Sequence, residues 1–376
     1  MRILIIDTYP VRRGAQIFVS DLASALSNTG HDCNIIYLYS EIGYGSRLTS
    51  KVDTFCFHEN PKDLTEKIPG FNFRLLFKIR KYIRNYNPEV ILLNGSRTLK
   101  YGAILRYLTD KNLKWIYRVI DDASYWNSSF FSNFLYKHFI ISNFDGAIGV
   151  SRHSLNAMIA HYNFKKPTNA IHRAFDFNKF SESLSKLNSR RLLGLNDNDE
   201  VLLFIGNISS QKRLDRFLEI SMRLKSKRPS LVALIIGDGP DLLKYKSTID
   251  IHDWISFHGY QENVGLYLAA SDIHILCSDT EGLPGVVLEA AFFNVPTLAS
   301  NVGGVSECII DGQTGYLVDK DKVDEFVNLA DILFSDPELI EIIGRKANDF
   351  IRNNFRMELT AKSYLKFFED VFKTNN

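Results

Sequence analysis

Short, uninterrupted apolar runs recur along the chain and constrain its fold more than any other feature of the sequence. The clearest of them are Ile3–Ile6, Val90–Leu93, Val201–Ile205 and Leu231–Ile236, and a similar run, Ile273–Leu276, is broken only by His274. Each run has the length of a strand but lacks alternating polar residues, which is typical of parallel strands covered on both faces. Segments with helical periodicity separate several of the runs. The sequence therefore predicts the α/β class.

The length of the chain predicts two domains. A single core rarely grows beyond about 250–300 residues, and this chain has 376. A stretch rich in Ser, Asn and Asp, Ser181–Asp199, is interpreted as a polar linker. We therefore assign residues 1–184 to a first domain and residues 185–355 to a second.

The charge is distributed unevenly between the two halves. Residues 1–180 contain 24 Lys and Arg against 14 Asp and Glu, a balance of +10, whereas the remainder contains 21 against 29, a balance of −8. A basic first half is expected to meet an anionic partner.

Other bulk features favour a cytoplasmic location. The first apolar run is too short for a signal peptide, and no run approaches the roughly 18 residues of a membrane-spanning helix. Four scattered cysteines have no metal-ligand spacing and suggest reduced thiols. No metal site is expected.

The most informative loop lies after the apolar run Ile273–Leu276. It places Glu281 in a Gly/Pro loop at the carboxyl end of a predicted strand, and Glu289 on the first turns of the next helix. Ligands bind at this edge of open α/β sheets, and exposed helix amides attract anions. Two carboxylates beside an anion site suit a ligand rich in hydroxyls and phosphate.

A second loop opens the second domain after Val201–Ile205. The segment Gly206–Asp215 includes Lys212 and leads into a helix. A cation beside helix amides at such a turn is well placed to hold a pyrophosphate.

The sequence resembles the retaining glycosyltransferases of family 4. The resemblance rests on the two glutamates eight positions apart with Pro284 between them, on Asn301–Glu307 with its Gly-Gly pair, and on Asp311–Val318 with its Asp-Gly turn. It is close over most of residues 200–320 and mainly topological before residue 200. It implies the GT-B fold, in which two Rossmann-like domains face each other across a deep cleft, and a final helix, residues 356–376, that crosses back to the first domain.

The resemblance also implies roles for individual residues. Glu281 would hold a hydroxyl of the donor sugar, Glu289 would accept hydrogen bonds from ribose hydroxyls, and Lys212, assisted by Arg213, would stabilise the leaving diphosphate. The loop backbone would contact sugar or phosphate oxygens, and a second backbone site would pair with the donor base. These backbone positions are Gly282, Leu283, Pro284 and Gly285 for the loop, and Gly259 and Tyr260 for the base.

The sequence departs from the family pattern at several positions. Asn207 stands where the family has an arginine, and Ile120-Asp121 stands where many members have His-Asp, so Asp121 becomes the acceptor-side catalytic candidate. Capping or a loop salt bridge is an equally good interpretation of Asp121. Gly14 falls in the position of a glycine loop that faces donor phosphate and acceptor, but a simple strand-to-helix turn is equally consistent.

A basic amphipathic helix is predicted over Phe71–Tyr86. Its Arg and Lys side chains would form stripes beside an apolar face. Such a helix can contact an anionic membrane surface, here the inner membrane. The alternative is a helix packed on the sheet with a solvated charged face.

The resemblance implies a retaining, metal-independent enzyme without a cofactor. It would move a sugar from a UDP- or GDP-hexose to a saccharide or lipid-linked saccharide in bacterial surface-polysaccharide synthesis. A catalytically weakened scaffold subunit and a sugar-nucleotide epimerase remain alternatives. Nucleic acid is not an expected partner. The chain lacks the Gly-rich dinucleotide fingerprint, a Walker loop and a Gly-x-Ser-x-Gly elbow.

Overall fold

The computed structural model describes residues 1–40, 48, 50–59, 72–122, 130–177 and 184–374. These residues form two compact units, one made of Met1–Ala174 with Met357–Asn376 and the other of Phe175–Arg356. The boundary between the two units follows Ala174, whereas the predicted boundary follows residue 184. Each unit is built on one parallel sheet, so the predicted α/β class with two Rossmann-like units is confirmed.

The first unit contains a seven-stranded parallel sheet with the order β3-β2-β1-β4-β5-β6-β7. Its strands are β1 Arg2–Asp7, β2 Asp32–Tyr39, β3 Thr54–Glu59, β4 Val90–Asn94, β5 Lys114–Val119, β6 Gly146–Gly149 and β7 Thr168–Ala170. Its helices are α1 Gly14–Asn28, α2 Phe73–Tyr86, α3 Leu99–Leu108, α4 Phe130–Leu135, α5 Arg152–Tyr162 and, from the end of the chain, α13 Met357–Lys373. A π-helical turn, Tyr136–Ile140, continues α4.

The second unit contains a six-stranded parallel sheet with the order β10-β9-β8-β11-β12-β13. Its strands are β8 Glu200–Ile205, β9 Leu231–Ile236, β10 Ile255–Phe257, β11 Ile273–Leu276, β12 Thr297–Ser300 and β13 Gly315–Val318. Its helices are α6 Lys186–Leu192, α7 Leu214–Lys225, α8 Leu242–Asp250, α9 Gly265–Ala270, α10 Gly285–Phe292, α11 Val323–Ser335 and α12 Pro337–Asn354.

The apolar runs are uninterrupted because each strand supplies two cores. In β1, Ile3 and Ile5 pack in the core beneath α1 and α13, whereas Leu4 and Ile6 pack in the core on the opposite face. Strand β8 divides in the same way, with Leu202 and Phe204 in one cluster and Val201 and Leu203 in another. Successive side chains of a strand point to opposite faces, so an apolar residue is needed at every position.

The interpretation of Ser181–Asp199 as a polar linker is wrong over part of its length. Helix α6 occupies Lys186–Leu192, and the side chain of Ser185 caps it by accepting from the amide of Asn188 at 3.3 Å. Its Arg190 is buried and donates to Asp272 at 2.8 Å. Residues 181–183 lie outside the described part of the chain.

The predicted basic helix is observed as α2. It begins one residue after Asn72, whose side chain accepts from the amide of Leu75, and it ends before Asn87, which adopts the left-handed conformation. The predicted first residue, Phe71, lies outside the described residues. Within the part of the chain described, no helix is both long and apolar enough to cross a membrane.

Candidate functional site

The candidate site lies where the strand order of the second sheet reverses. Strands β8 and β11 are neighbours, but the connection after β8 runs towards β9 and the one after β11 runs towards β12. The loops that leave their carboxyl ends therefore separate and leave a crevice between them, the usual ligand position in open α/β sheets. One loop carries Lys212 and the other carries Glu281.

An ion pair joins the two loops across this point. The Nζ of Lys212 donates to Oε1 of Glu281 at 2.5 Å, and the hydroxyl of Ser278 donates to the same oxygen at 2.7 Å. The side chain of Glu281 is 7% exposed and that of Lys212 is 25% exposed. The pair is thus close to the surface on its cationic side, where an incoming anion can reach it.

The backbone around Glu281 is held by two glycines of the loop after β12. Gly303 has a positive φ of +56°, and a Cβ at this residue would lie 1.8 Å from the carbonyl oxygen of Glu281. The amide of Gly304 donates to that same oxygen at 3.2 Å. Only a residue without a side chain permits such an approach, so the Gly-Gly pair fixes the loop that carries the carboxylate.

Arg213 is engaged by two carboxylates. Its guanidinium donates to Asp215 at 2.9 Å and to Asp279 at 3.2 Å. The hydrogen bond that Arg213 donates to Asp215, opposed by partial burial and aided by Asp279, raises the pKa of Arg213 above its usual range. Arg216 is buried and also donates to Asp279, at 3.1 Å. Around the ion pair, these arginines already have carboxylate partners.

The loop after β8 is packed backbone to backbone on the loop after β9. A Cβ at Gly237 would lie 1.9 Å from the carbonyl oxygen of Gly206, and one at Gly239 would lie 2.2 Å from that of Ile208. Asn207 is exposed between these contacts. The amide of Gly237 donates to the carbonyl of Gly259 at 2.8 Å, which brings the predicted base-binding segment to the same edge of the sheet.

The remaining donor-side residues surround the start of α10. Pro284 occupies the N-cap position without a side-chain cap, and Gly285 begins the helix. Glu289 is half-buried one turn later, and Leu283 is buried. Uncapped amides at this end can donate to an oxygen ligand. Gly282 is half-buried in the same loop, and Tyr260 is 39% exposed after β10.

The predicted residues of the first unit have a different setting. Gly14 begins α1, and the guanidinium of Arg173 lies against it, since a Cβ at Gly14 would be 2.9 Å from Nη1 of Arg173. Asp121 follows β5 and is exposed. Arg118, near the end of β5, is 2% exposed and donates to Asn94 at 2.8 Å and to the hydroxyl of Tyr364 at 3.0 Å.

Sequence reasoning missed a buried polar chain at the strand-order reversal of the first sheet. The amide of Asn94 donates to Asp7 at 2.7 Å, and the side chain of Gln16 donates to the other carboxylate oxygen at 3.1 Å. Burial raises the pKa of Asp7, although hydrogen bonds from Thr8, Gln16 and Asn94 act in the opposite direction. A signal was present in the sequence, because a polar residue ends each of two apolar strands, Asp7 in β1 and Asn94 in β4.

A histidine–carboxylate pair was missed as well. His153, on the first turn of α5, lies 2.8 Å from Asp122, which is buried after β5. A search for metal-binding groups over the described residues finds no cluster of three or more His, Cys, Asp or Glu side chains.

Comparison with known proteins matches both halves of the chain. A family model described as "Glycosyltransferase Family 4" covers residues 12–179, and one described as "Glycosyl transferases group 1" covers residues 185–353. Together the two matches account for nearly the whole chain.

Two curated relatives and one solved structure illustrate the similarity. N-acetyl-alpha-D-glucosaminyl L-malate synthase of Bacillus anthracis is 25% identical over 98% of this chain and 97% of its own length. UDP-Gal:alpha-D-GlcNAc-diphosphoundecaprenol alpha-1,3-galactosyltransferase of Escherichia coli is 27% identical over 50% of each chain. The crystal structure of HepE from Anabaena, in complex with UDP and glucose, has a TM-score of 0.80 and 20% identity, and the alignment covers 98% of this chain and 100% of that one.

Proposed function

The chain belongs to the group 1 glycosyltransferases of family 4, and from this premise we propose that it transfers a hexose from a UDP- or GDP-hexose, with retention of configuration and without a metal ion. The acceptor is a saccharide or lipid-linked saccharide of bacterial surface-polysaccharide synthesis. The family matches give no support to the epimerase and scaffold alternatives. The observation that carries the proposal is the Lys212–Glu281 ion pair at the strand-order reversal of the second sheet.

The ion pair can exchange its partners for those of a donor. Lys212 is the cation near this point whose counterion, Glu281, is also suited to accept a hydrogen bond from a sugar hydroxyl. When a nucleotide sugar binds, Lys212 turns to the diphosphate and the carboxylate to the hydroxyl, so neither charge is left unpaired. The amides of Gly282, Leu283 and Gly285 then face sugar or phosphate oxygens, and the carboxylate of Glu289 faces the ribose hydroxyls.

The leaving diphosphate gains negative charge during the reaction, and the enzyme has to stabilise this charge. As the bond between the anomeric carbon and the diphosphate oxygen breaks, that oxygen takes the electron pair, and Lys212 stabilises the growing negative charge. The acceptor oxygen forms the new bond on the same face, and its proton passes to the departing phosphate. Asp121 and Gly14, at the corresponding edge of the first sheet, are the acceptor-side candidates.

Similar proteins support the choice of reagents for a test. A relative named for UDP-galactose and a lipid diphosphate acceptor, and a neighbour crystallised with UDP and glucose, make UDP-hexoses the first donors to try. The basic balance of residues 1–180 suits an anionic acceptor at the cytoplasmic face of the inner membrane, and we propose that α2 provides a peripheral contact there.

The proposal is tested by measuring nucleoside diphosphate release. The purified chain is incubated with UDP- and GDP-hexoses, with and without a polyprenyl-diphosphate-linked saccharide, in buffer with or without EDTA. We expect release that depends on the acceptor, is unchanged by EDTA, and yields a product with the anomeric configuration of the donor by NMR. A panel in which no donor gives acceptor-dependent release would contradict the proposed reaction.

The role of Glu281 is tested by Glu281→Gln, which keeps the shape of the side chain and removes its charge. We expect transfer to fall sharply and the preference among donor sugars to change, because the hydroxyl loses its charged acceptor. An exposed glutamate of α12 in the same unit, Glu341, provides a matched control as Glu341→Gln. An unchanged donor profile in Glu281→Gln would remove this carboxylate from sugar recognition.

A further inference from the structure

The outer face of α4 is apolar where a soluble helix is normally polar. Phe131, Phe134, Leu135 and Phe139 recur at helical spacing and are 69%, 46%, 36% and 55% exposed. The rings of Phe134 and Phe139 lie together, with centroids 6.2 Å apart. In a helix packed on a protein core this stripe would face inwards. Here it forms an outward aromatic face on α4 and its π-helical continuation.

Helix α3 extends this apolar face. Ile104, Tyr107 and Leu108 are 38%, 73% and 39% exposed. The hydroxyl of Tyr107 donates to Asn143 at 2.9 Å, which ties the end of α3 to the turn after α4. The exposed aromatic and aliphatic side chains of α3 and α4 are thus neighbours rather than isolated residues.

Helix α2 adds positive charge at the edge of the same face. The Nε of Arg80 donates to the carbonyl of Leu108 at 2.9 Å, so α2 lies directly beside the end of α3. The exposed positions of α2 include Phe73 and Phe77 and five cations, and the helix contains no acidic residue. The cations are Arg74, Lys78, Arg80, Lys81 and Arg84.

We propose that these three helices form a membrane-docking surface, in which the aromatic face of α3 and α4 enters the interfacial region of an anionic bilayer and the cations of α2 contact its headgroups. We name it the α2–α4 surface. The inference deepens the proposed function, on which it rests, because a lipid-linked acceptor would be presented at such a bilayer. It adds to the proposed function that apolar side chains of α3 and α4 insert into the bilayer beside the electrostatic contact of α2.

The combination of apolar and cationic side chains fits an anionic bilayer better than a second copy of the chain or a soluble polyanion. Apolar rings partition into the boundary between headgroups and acyl chains, and neighbouring Lys and Arg side chains are attracted to anionic lipids. A second copy of the chain docked on the same surface about a two-fold axis would bring the cations of one α2 near those of the other. A soluble polyanion would satisfy the cations but leave Phe131 and Phe134 in water.

The test is sedimentation of the full chain with vesicles. Vesicles of phosphatidylglycerol and phosphatidylethanolamine are compared with vesicles of phosphatidylcholine, at low and high salt. We expect binding to the anionic vesicles that weakens about tenfold or more at high salt, because screening shortens the range of the attraction. Failure to bind anionic vesicles at low salt would overturn the proposal.

Two sets of variants separate the two parts of the surface. Phe134→Ser with Phe139→Ser should lower vesicle binding about tenfold or more while keeping the salt dependence. Arg74→Glu with Lys81→Glu should lower it similarly and flatten the salt dependence. The control, Lys362→Glu with Lys366→Glu on exposed positions of α13, makes the same charge change elsewhere in the unit and should bind more strongly than the α2 variant. Equal binding by the Phe134, Phe139 variant and the unchanged chain would overturn insertion.

Depth is measured with an added fluorophore. Emission of the unchanged chain, which has three tryptophans, is subtracted from that of each variant. The added tryptophan of Phe134→Trp should show a blue-shifted emission and quenching by bromolipids when vesicles are present, whereas that of Leu192→Trp, at a 72% exposed position of the second unit, should show neither. Equal quenching of both would contradict docking through the α2–α4 surface. Nucleoside diphosphate release with a water-soluble acceptor is measured in parallel: variants that lose vesicle binding but keep this activity separate a failure of docking from a failure of the proposed reaction.

Discussion

The two sheets share the strand order 3-2-1-4-5-6 from one edge, yet the polar groups at their reversal points differ in exposure. In the first unit, Asp7, Asn94 and Arg118 are 0%, 2% and 2% exposed. In the second unit, the Lys212 side chain of the ion pair is 25% exposed. The same topology therefore encloses every member of the first polar set and leaves only the cationic side of the second accessible, since Glu281 is 7% exposed.

We infer that the polar groups at the reversal point stabilise the fold in the first unit and bind a ligand in the second. The buried chain of the first unit ends at Tyr364, so it joins β1, β4 and β5 to the last helix, α13. Its groups find their partners within the protein, and a ligand would have to displace buried hydrogen bonds. Lys212 and Glu281 can instead exchange their ion pair for contacts with a ligand that approaches from the more exposed lysine side. We therefore expect substitutions in the first set to affect folding and substitutions in the second to affect turnover.

The largest expected effect belongs to Arg118→Met. Removing the guanidinium leaves the buried Oδ1 of Asn94 without its donor and takes a compensating positive charge from the neighbourhood of Asp7. The free energy of unfolding should fall by about 3–5 kcal/mol. Urea denaturation measures it, and nucleotide binding by the folded fraction serves as the control. A loss below about 1 kcal/mol would contradict the structural role of the chain.

Lys212→Ala should have the next largest effect, on turnover. Loss of a group that stabilises charge in the transition state typically lowers kcat by about 10²–10³-fold, or about 2.7–4 kcal/mol. Stability should change less, by about 1–2 kcal/mol, since Lys212 is partly exposed and the buried Glu281 keeps its hydrogen bond from Ser278. Nucleoside diphosphate release and thermal unfolding are measured on the same preparation, with Lys346→Ala as the control. Turnover within twofold of the unchanged chain would exclude Lys212 from the mechanism.

The two units should also respond differently to acid. His274 of β11 is fully buried, and burial lowers its pKa to about 3. Below about pH 6.5 the unfolded chain binds a proton at this residue that the folded chain does not, so stability falls by about 1.4 kcal/mol for each pH unit. His274→Asn should remove this slope between about pH 6 and pH 4, as measured by urea denaturation followed by circular dichroism. Equal slopes in both proteins would contradict a neutral buried histidine.

Burial has the opposite sign for the carboxyl group of Asp7. Its pKa is raised, so the folded first unit takes up a proton more readily than the unfolded chain, and acidification relieves rather than increases the cost of burying this residue. The acid sensitivity caused by His274 should therefore belong to the second unit.

Tyr364→Phe should have the smallest effect. It removes the hydroxyl that accepts from Arg118 and keeps the ring that packs on Phe18 and Phe368. The expected loss of unfolding free energy is about 1–2 kcal/mol, with unchanged turnover. The two are measured by urea denaturation and nucleoside diphosphate release. A large fall in turnover at unchanged stability would show that the buried chain also acts on catalysis.

Much of the fold could be predicted because the signal is local. The apolar runs mark the strands directly, and the periodicity of residues such as Leu75, Ile79 and Ile83 marks α2. Helix α6 was missed because its Ser- and Asn-rich surroundings resemble a linker, although Ser185 is a good N-cap residue. Local composition cannot reveal that Arg190 is buried against Asp272, because that contact joins residues far apart in the chain.

The site was partly predictable for the same reason. Lys212 and Glu281 each lie in a loop after an apolar run, and neighbouring parallel strands bring such loops to one edge. The partners of Arg213 and Arg118 were not predictable, because they depend on which way the side chains point and, for Arg118, on a tyrosine from the last helix. The family pattern has its second cation at position 207, where this chain has Asn207, and Arg213 is the predicted replacement. The pattern does not reveal that Arg213 is bound by Asp215 and Asp279.

The most direct test of the account is a calorimetric titration with UDP, GDP and their hexose conjugates. It is carried out on the unchanged chain, Lys212→Ala and the control Lys346→Ala. The account predicts that at least one nucleotide binds the unchanged chain and the control with the same Kd, and that Lys212→Ala weakens this binding about tenfold or more. A Lys212→Ala chain that binds the nucleotide as tightly as the unchanged chain would contradict the central claim that the ion pair in the second unit is the donor site.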